Sequence, residues 1–190
     1  MNIVFLSGSP SDRSRSALLL DYARQWLAKA GIQETLIKVS DLDAQALVSA
    51  DFKHPDILQV IKQVQHADGL VIASPVYKGA YSGVLKTLLD LFPERALENK
   101  VVLPLMTAGS HAHLLALDYA LKPLLGAMKA EEIINGIYAV DTQIRYAQDG
   151  NPAEIAPEII DRLEQNLQAF LSAIQRRPAH NRIGRLSAVG

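Results

Sequence analysis

Three short apolar runs in this chain each stop abruptly in small residues. Ile3–Leu6 runs into Ser7–Ser16, Leu70–Ala73 into Ser74–Gly83, and Val101–Met106 into Thr107–Ser110. Continuous apolar runs of this length, bounded by turn residues, read as strands covered on both faces, which requires helices above and below the sheet. Helical patterns follow as required. They run from Ala17 through Trp26 and Leu27 to an end near Gly31, over Pro55–His66, over Val84–Leu91, from His111 to about Met128, and over Pro157–Gln175. In the second of these, Ile57, Leu58, Ile61 and Val64 share one face; in the last, Ile159, Ile160, Leu163, Leu167, Phe170 and Leu171 do. Glu34–Val39 alternates imperfectly and suits an edge strand, and Ile133–Val140 reads as a last strand. Ser40–Phe52, acidic and mixed, reads as loop with a short helical turn. Strands alternating with helices in this way predict an α/β fold with a doubly wound, five-stranded parallel sheet.

In such sheets ligands bind beyond the carboxyl ends of the strands, at the point where strand order reverses. The expected order is 2-1-3-4-5, the flavodoxin-like arrangement, which places FMN at the first loop. That loop, Gly8-Ser9-Pro10-Ser11-Asp12-Arg13-Ser14-Arg15-Ser16, leads straight into a helix. A helix N-terminus offers unpaired N–H groups and the positive end of a dipole, so it suits a phosphate. Ser9, Ser14 and Ser16 add hydroxyl donors and Arg15 adds charge-assisted bonds. The bland alternative is a serine-capped helix start. A GxxxxGK[ST] nucleotide loop is absent, and Pro10 and Arg13 stand where a GxGxxG motif needs glycines. The chain contains no cysteine, which removes disulfides, thiol catalysis and cysteine-based phosphate loops.

A chain of 190 residues is most simply one domain, here 1–175, followed by a tail at 176–190 with four arginines and no periodicity. That tail reads as a mobile extension or a subunit-contact arm. A formal net charge of −1 projects no broad positive field, so nucleic acid is not an expected partner. No apolar run approaches the roughly 20 residues of a membrane span. The start lacks a basic segment followed by a long apolar one, so no signal peptide is expected and the composition suits the cytoplasm.

The second loop, Ser74-Pro75-Val76-Tyr77-Lys78-Gly79, suits a flat, partly polar ring. Pro75 stiffens the turn, Tyr77 offers an aromatic face, and the backbone of 76–79 can read polar atoms on a ring edge. Together with Gly8-Ser9-Pro10, Ser14-Arg15-Ser16 and Ser82-Gly83-Val84-Leu85-Lys86, it resembles the NADPH-dependent FMN reductase family, over most of the chain to about Val140. The segments Lys86–Leu97 and His113–Pro123 resemble the FMN reductase of two-component alkanesulfonate monooxygenase systems, which serve sulfur acquisition. Gly79 and Ala108 stand where that pattern has alanine and glycine, and both remain small.

The resemblance implies a cofactor site in which Ser9, Ser14, Arg15 and Ser16 hold the FMN phosphate. Pro75, Val76, Tyr77, Lys78 and Gly79 then meet one edge of the isoalloxazine, and Thr107, Ala108, Gly109 and Ser110 meet another part, stabilising reduced flavin through backbone amides. It implies NADPH as hydride donor, no catalytic acid or nucleophile, and exchangeable FMN handed to a flavin-dependent monooxygenase. The competing readings are a quinone or azo-dye reductase that retains FMN, and a non-enzymatic flavodoxin-like electron carrier. The near-neutral charge argues against the carrier.

His111 and His113 do not form a metal pair, because residues two apart on a helix do not share a face. Pro123 interrupts the apolar helix that holds Asp118 and Tyr119, and an inserted residue there would make a π-bulge. This helix and Val84–Phe92 both carry more apolar residues than one sheet face can cover. That surplus predicts a homo-oligomer packed through the two helices, and the resemblance points to a tetramer, a dimer of dimers.

Overall fold

The computed structural model describes residues 1–146 and 153–177. The chain opens with β1 (Asn2–Ser7), α1 (Arg15–Ala28) and β2 (Gln33–Lys38). After a 3₁₀ turn at Val39–Asp41 come α2 (Ala44–Val48), α3 (Pro55–His66), β3 (Gly69–Tyr77), β4 (Ala80–Tyr81) and α4 (Gly83–Leu89). β5 (Val101–Ala108) is followed by an irregular helical stretch ending in α5 (Lys122–Ala127). The described chain closes with β6 (Glu132–Ile133), β7 (Ile137–Val140), β8 (Ile144–Arg145), β9 (Glu154–Ile155) and α6 (Pro157–Gln175).

The strands β2, β1, β3 and β5 lie side by side in parallel, with β6 and then β7 pairing along the far side of β5. Counted without the short arm β4, this is the expected doubly wound order, its fifth strand split in two. Successive residues of β1 face opposite ways, as a strand requires. Ile3 and Phe5 join a core layer with Leu19, Leu20 and Leu27 of α1 and Leu163, Leu167 and Phe170 of α6. Val4 and Leu6 join the opposite layer with Ile57, Val60 and Val64 of α3, Leu85 and Leu88 of α4, and Leu125 of α5. Helices on both faces explain why these strands read as unbroken apolar runs.

The expected single strand Ile133–Val140 is split by a bulge. Val102 pairs with Ile133 and Leu105 with Ile137, so two residues of β5 face three on the other strand. Pro104, in that gap, has no N–H to give to the ladder. Gly136 stands against it with φ +82°, and a Cβ there would lie 2.5 Å from the Pro104 carbonyl oxygen. The Gly136 N–H leaves the sheet and donates to Asn166 Oδ1 of α6 at 3.0 Å.

The helix expected from His111 to about Met128, interrupted near Pro123, falls into three pieces. His111–His113 is a 3₁₀ turn, Leu117–Leu121 is a π-helical turn, and only Lys122–Ala127 is regular. The Lys122 N–H reaches back to the Leu117 carbonyl, five residues away. Pro123, lacking an N–H, could not have continued the ordinary ladder through this point. Leu117, Leu121 and Leu125 face the core, while Leu114, Leu115 and Tyr119 are exposed, Tyr119 by 78%.

The apolar surplus expected on Val84–Phe92 is largely absent. Leu85, Leu88, Leu89, Leu91 and Phe92 are all buried within this chain, because α2 and the 3₁₀ turn at Val39–Asp41 pack against the helix. At the far end, Arg176 and Arg177 both pair with Glu132. The rest of the expected tail, 178–190, lies outside the described residues.

Candidate functional site

The carboxyl ends of β1, β3 and β5 lie next to one another, so the three small-residue segments leave the sheet along one edge. Ser7 pairs with Ala73, and Pro75 with Thr107. A chain of hydrogen bonds joins the first two segments. The Gly8 N–H donates to the Ala73 carbonyl at 2.7 Å, and the Ser82 hydroxyl donates to the Gly8 carbonyl. The Ser82 N–H donates to Ser74 Oγ at 2.9 Å, and the Ser74 hydroxyl donates to the Pro75 carbonyl at 2.9 Å. Ser74 and Ser82 are fully buried. A buried polar group left unpaired costs about 1–3 kcal/mol, so these satisfied hydroxyls hold the loops in fixed relation.

In the first segment, Ser14 has extended backbone and caps α1, its hydroxyl accepting the Ala17 N–H at 3.1 Å. Its hydroxyl also lies 3.2 Å from that of Ser16, which is fully buried. Helix geometry leaves the first-turn amides of Arg15 and Ser16 without intrahelical acceptors. The cradle is therefore a helix start with the part-exposed Ser14 hydroxyl at its edge and the buried Ser16 hydroxyl linked behind it. Ser9 is buried too, but its hydroxyl closes its own turn, donating to the Ser11 carbonyl and accepting the Ser11 N–H.

Arg15 has further partners that sequence reasoning missed. Its Nη1 lies 3.1 Å from Asp141 Oδ2, its Nε donates to the Ile144 carbonyl at 2.9 Å, and its guanidinium stands 4.7 Å from the centre of the Tyr146 ring. Arg13 approaches the same ring at 5.1 Å. The segment following β7 thus folds over the first loop. Its one visible signal was position: Asp141 directly follows a strand whose carboxyl end reaches the same edge.

The second segment differs from the expected loop. Pro75, Val76 and Tyr77 continue β3, and β4 folds back on it, pairing Val76 with Tyr81 and Tyr77 with Ala80. Lys78 and Gly79 form the tip, with φ of +52° and +82°. Two successive left-handed residues make the tight turn that a two-residue hairpin needs. Pro75 is buried, whereas Tyr77, Lys78 and Gly79 are exposed. In the third segment Thr107 and Ala108 are likewise strand residues, buried and paired with Ala139 and Val140. Gly109 and Ser110 are exposed. The Ser110 hydroxyl accepts the Ala112 N–H, and its carbonyl accepts the Tyr138 hydroxyl. Burial pushes the pKa of Tyr138 upward.

Residues 1–144 match the family described as NADPH-dependent FMN reductase. The chain belongs to that family. It is 48% identical over 178 residues to an FMN reductase (NADPH) of Pseudomonas putida, covering 94% of this chain and 90% of the relative. It is 46% identical to an FMN reductase (NADPH) of Escherichia coli, covering 93% and 92%. An NADH:FMN oxidoreductase solved in its apo form superposes with a TM-score of 0.83 at 35% identity, covering 94% and 92%. This family member is accordingly an oxidoreductase that reduces FMN with a reduced nicotinamide nucleotide.

The residues present fit such a ligand. The hydroxyls of Ser14 and Ser16 and the start of α1 suit a phosphate, and the exposed Tyr77–Gly79 hairpin and Gly109–Ser110 offer backbone groups at the same edge. Among the described residues no group of three His, Asp or Glu side chains could hold a metal ion, and no helix is long and apolar enough to cross a membrane.

Proposed function

We propose that these three segments form one site for exchangeable FMN within a single flavin-binding domain extending to Gln175, in a cytoplasmic enzyme. Ser14, Arg15 and Ser16 take the phosphate, and Ser9, whose hydroxyl closes its own turn, shapes the loop around it; Pro75–Gly79 and Thr107–Ser110 take the ring system. The supporting observation is the hydrogen-bonded continuity of the three segments at the reversal point of the sheet, in a chain of this family. Bound FMN supplies the hydride-accepting ring. The protein's part is to orient that ring and limit competing reactions. Pro75 and Thr107 stand side by side in the sheet, and the Lys78–Gly79 tip beyond them is exposed.

In this reading reduced FMN is released to a flavin-dependent monooxygenase, and the likeness of Lys86–Leu97 and His113–Pro123 to reductases of alkanesulfonate systems points to sulfur acquisition. The exposed Leu114, Leu115 and Tyr119 support subunit contact through the π-helical turn, in a homotetramer.

The test is steady-state NADPH and NADH oxidation with FMN, FAD and riboflavin varied in turn. The proposal expects colourless purified protein, saturation by added FMN, and less loss of reducing equivalents to oxygen when an alkanesulfonate monooxygenase and its substrate are present. A yellow protein that reduces quinones without added flavin would favour the flavin-retaining reductase instead. Arg15→Ala should weaken FMN by about 1.5–3 kcal/mol, the range for hydrogen bonds to charged groups, and riboflavin far less. Equal losses would remove Arg15 from the phosphate site.

A further inference from the structure

Arg15 is the residue proposed above to neutralise a phosphate at the start of α1, yet it faces a carboxylate. Asp141 Oδ2 lies 3.1 Å from Arg15 Nη1. The same carboxylate borders the third loop, since a Cβ on Gly109 would lie 4.0 Å from that oxygen. Asp141 therefore places a negative charge between two of the segments proposed to enclose an anionic ligand.

The pair contributes little to holding the fold. The Arg15 and Asp141 side chains are 28% and 42% exposed, and ion pairs this open to water stabilise weakly. Nor does Arg15 need Asp141 for its position. The Ile144 carbonyl accepts from Nε, and the Tyr146 ring lies beside the guanidinium. What Asp141 does change is the charge that a phosphate meets: it offsets part of the arginine and adds its own repulsion.

We infer that Asp141 is an affinity-setting residue for the phosphate loop. Resting on the FMN reading above, it holds part of the Arg15 charge and so keeps FMN weakly enough bound to exchange between turnovers. This suits an enzyme whose flavin leaves as product. Asp141 acts through the charge of Arg15 and is a charge-balancing residue, not a catalytic one.

The test is Asp141→Asn, which keeps an oxygen acceptor for Arg15 and removes the charge. Binding is followed by flavin fluorescence quenching, and release by stopped-flow displacement, for FMN and riboflavin in parallel. The expected result is FMN binding tighter by about two- to fivefold, mostly through slower release, with riboflavin unchanged. Raising ionic strength should narrow the difference between wild type and variant. A merely structural role would weaken both flavins together. Unchanged or weaker FMN binding, or an equal gain for riboflavin, would overturn the inference. Arg15→Ala, measured alongside, separates the two ideas. An FMN-specific loss there with no effect of Asp141→Asn leaves the phosphate site standing and removes Asp141 from it; no FMN-specific loss there removes the phosphate assignment itself.

Discussion

Replacing Ser82 with alanine should both loosen the fold and disturb the flavin site, because one hydroxyl serves two structures. It accepts the Leu85 N–H at 3.2 Å as the cap of α4, and it donates to the buried Gly8 carbonyl. Losing a serine cap costs about 1 kcal/mol. Leaving a buried carbonyl without its donor costs about 1–3 kcal/mol. The expected loss is therefore about 2–4 kcal/mol, which lowers the melting temperature of a chain this size by roughly 5–15 °C. Urea unfolding of flavin-free protein measures the first quantity, and a thermal scan at fixed protein concentration the second. Ser74→Ala tests a separate link: it takes away the acceptor of the Ser82 backbone N–H, which Ser82→Ala leaves in place, and should add its own loss. FMN and riboflavin should weaken together, because the whole first loop shifts. A stability loss below about 0.5 kcal/mol would show that the Gly8 carbonyl finds another donor, and the idea that this bond ties the loops would fail.

Three other perturbations test separate features. Gly136→Ala puts a Cβ 2.5 Å from the Pro104 carbonyl oxygen at φ +82°, and should cost about 2–4 kcal/mol in urea unfolding; a cost under about 1 kcal/mol would mean the bulge relaxes freely. Burial, then the hydrogen bond to Glu164 at 2.6 Å, pushes the Tyr22 pKa from 10.0 up to about 12. Its folded-state pKa is raised, so its contribution is complete below pH 10 and disappears as pH climbs through about 12. Wild type should lose stability more steeply than Tyr22→Phe across that window, and parallel curves would refute the contribution. Deleting Tyr119 should turn the π-helical turn into regular helix, alter the oligomer seen by light scattering, and leave FMN held more tightly; an unchanged oligomer that still releases FMN would reduce Tyr119 to local packing.

Much of this protein was written in local pattern. The buried strands and the helices at Pro55–His66 and Pro157–Gln175 follow from runs and periods that any short window shows, because covered strands must be apolar and surface helices amphipathic. The serine-rich helix start and the irregular helix before Pro123 were legible for the same reason: capping and a missing N–H are properties of neighbouring residues. Tertiary contact decided the rest. Pro75–Tyr77 reads as loop by composition but becomes strand, because Pro75 pairs with Thr107 while Tyr81 and Ala80 fold back to pair with Val76 and Tyr77. The bulge at Gly136 exists because Pro104, on another strand, cannot complete the ladder. Arg15 meets Asp141, Ile144 and Tyr146, and Ser82 meets Gly8, only after the sheet has brought distant segments to one edge. Residue type and spacing announce what a segment prefers by itself; which charge stands beside which is set by strand order and register, quantities that exist only once the chain has closed on itself.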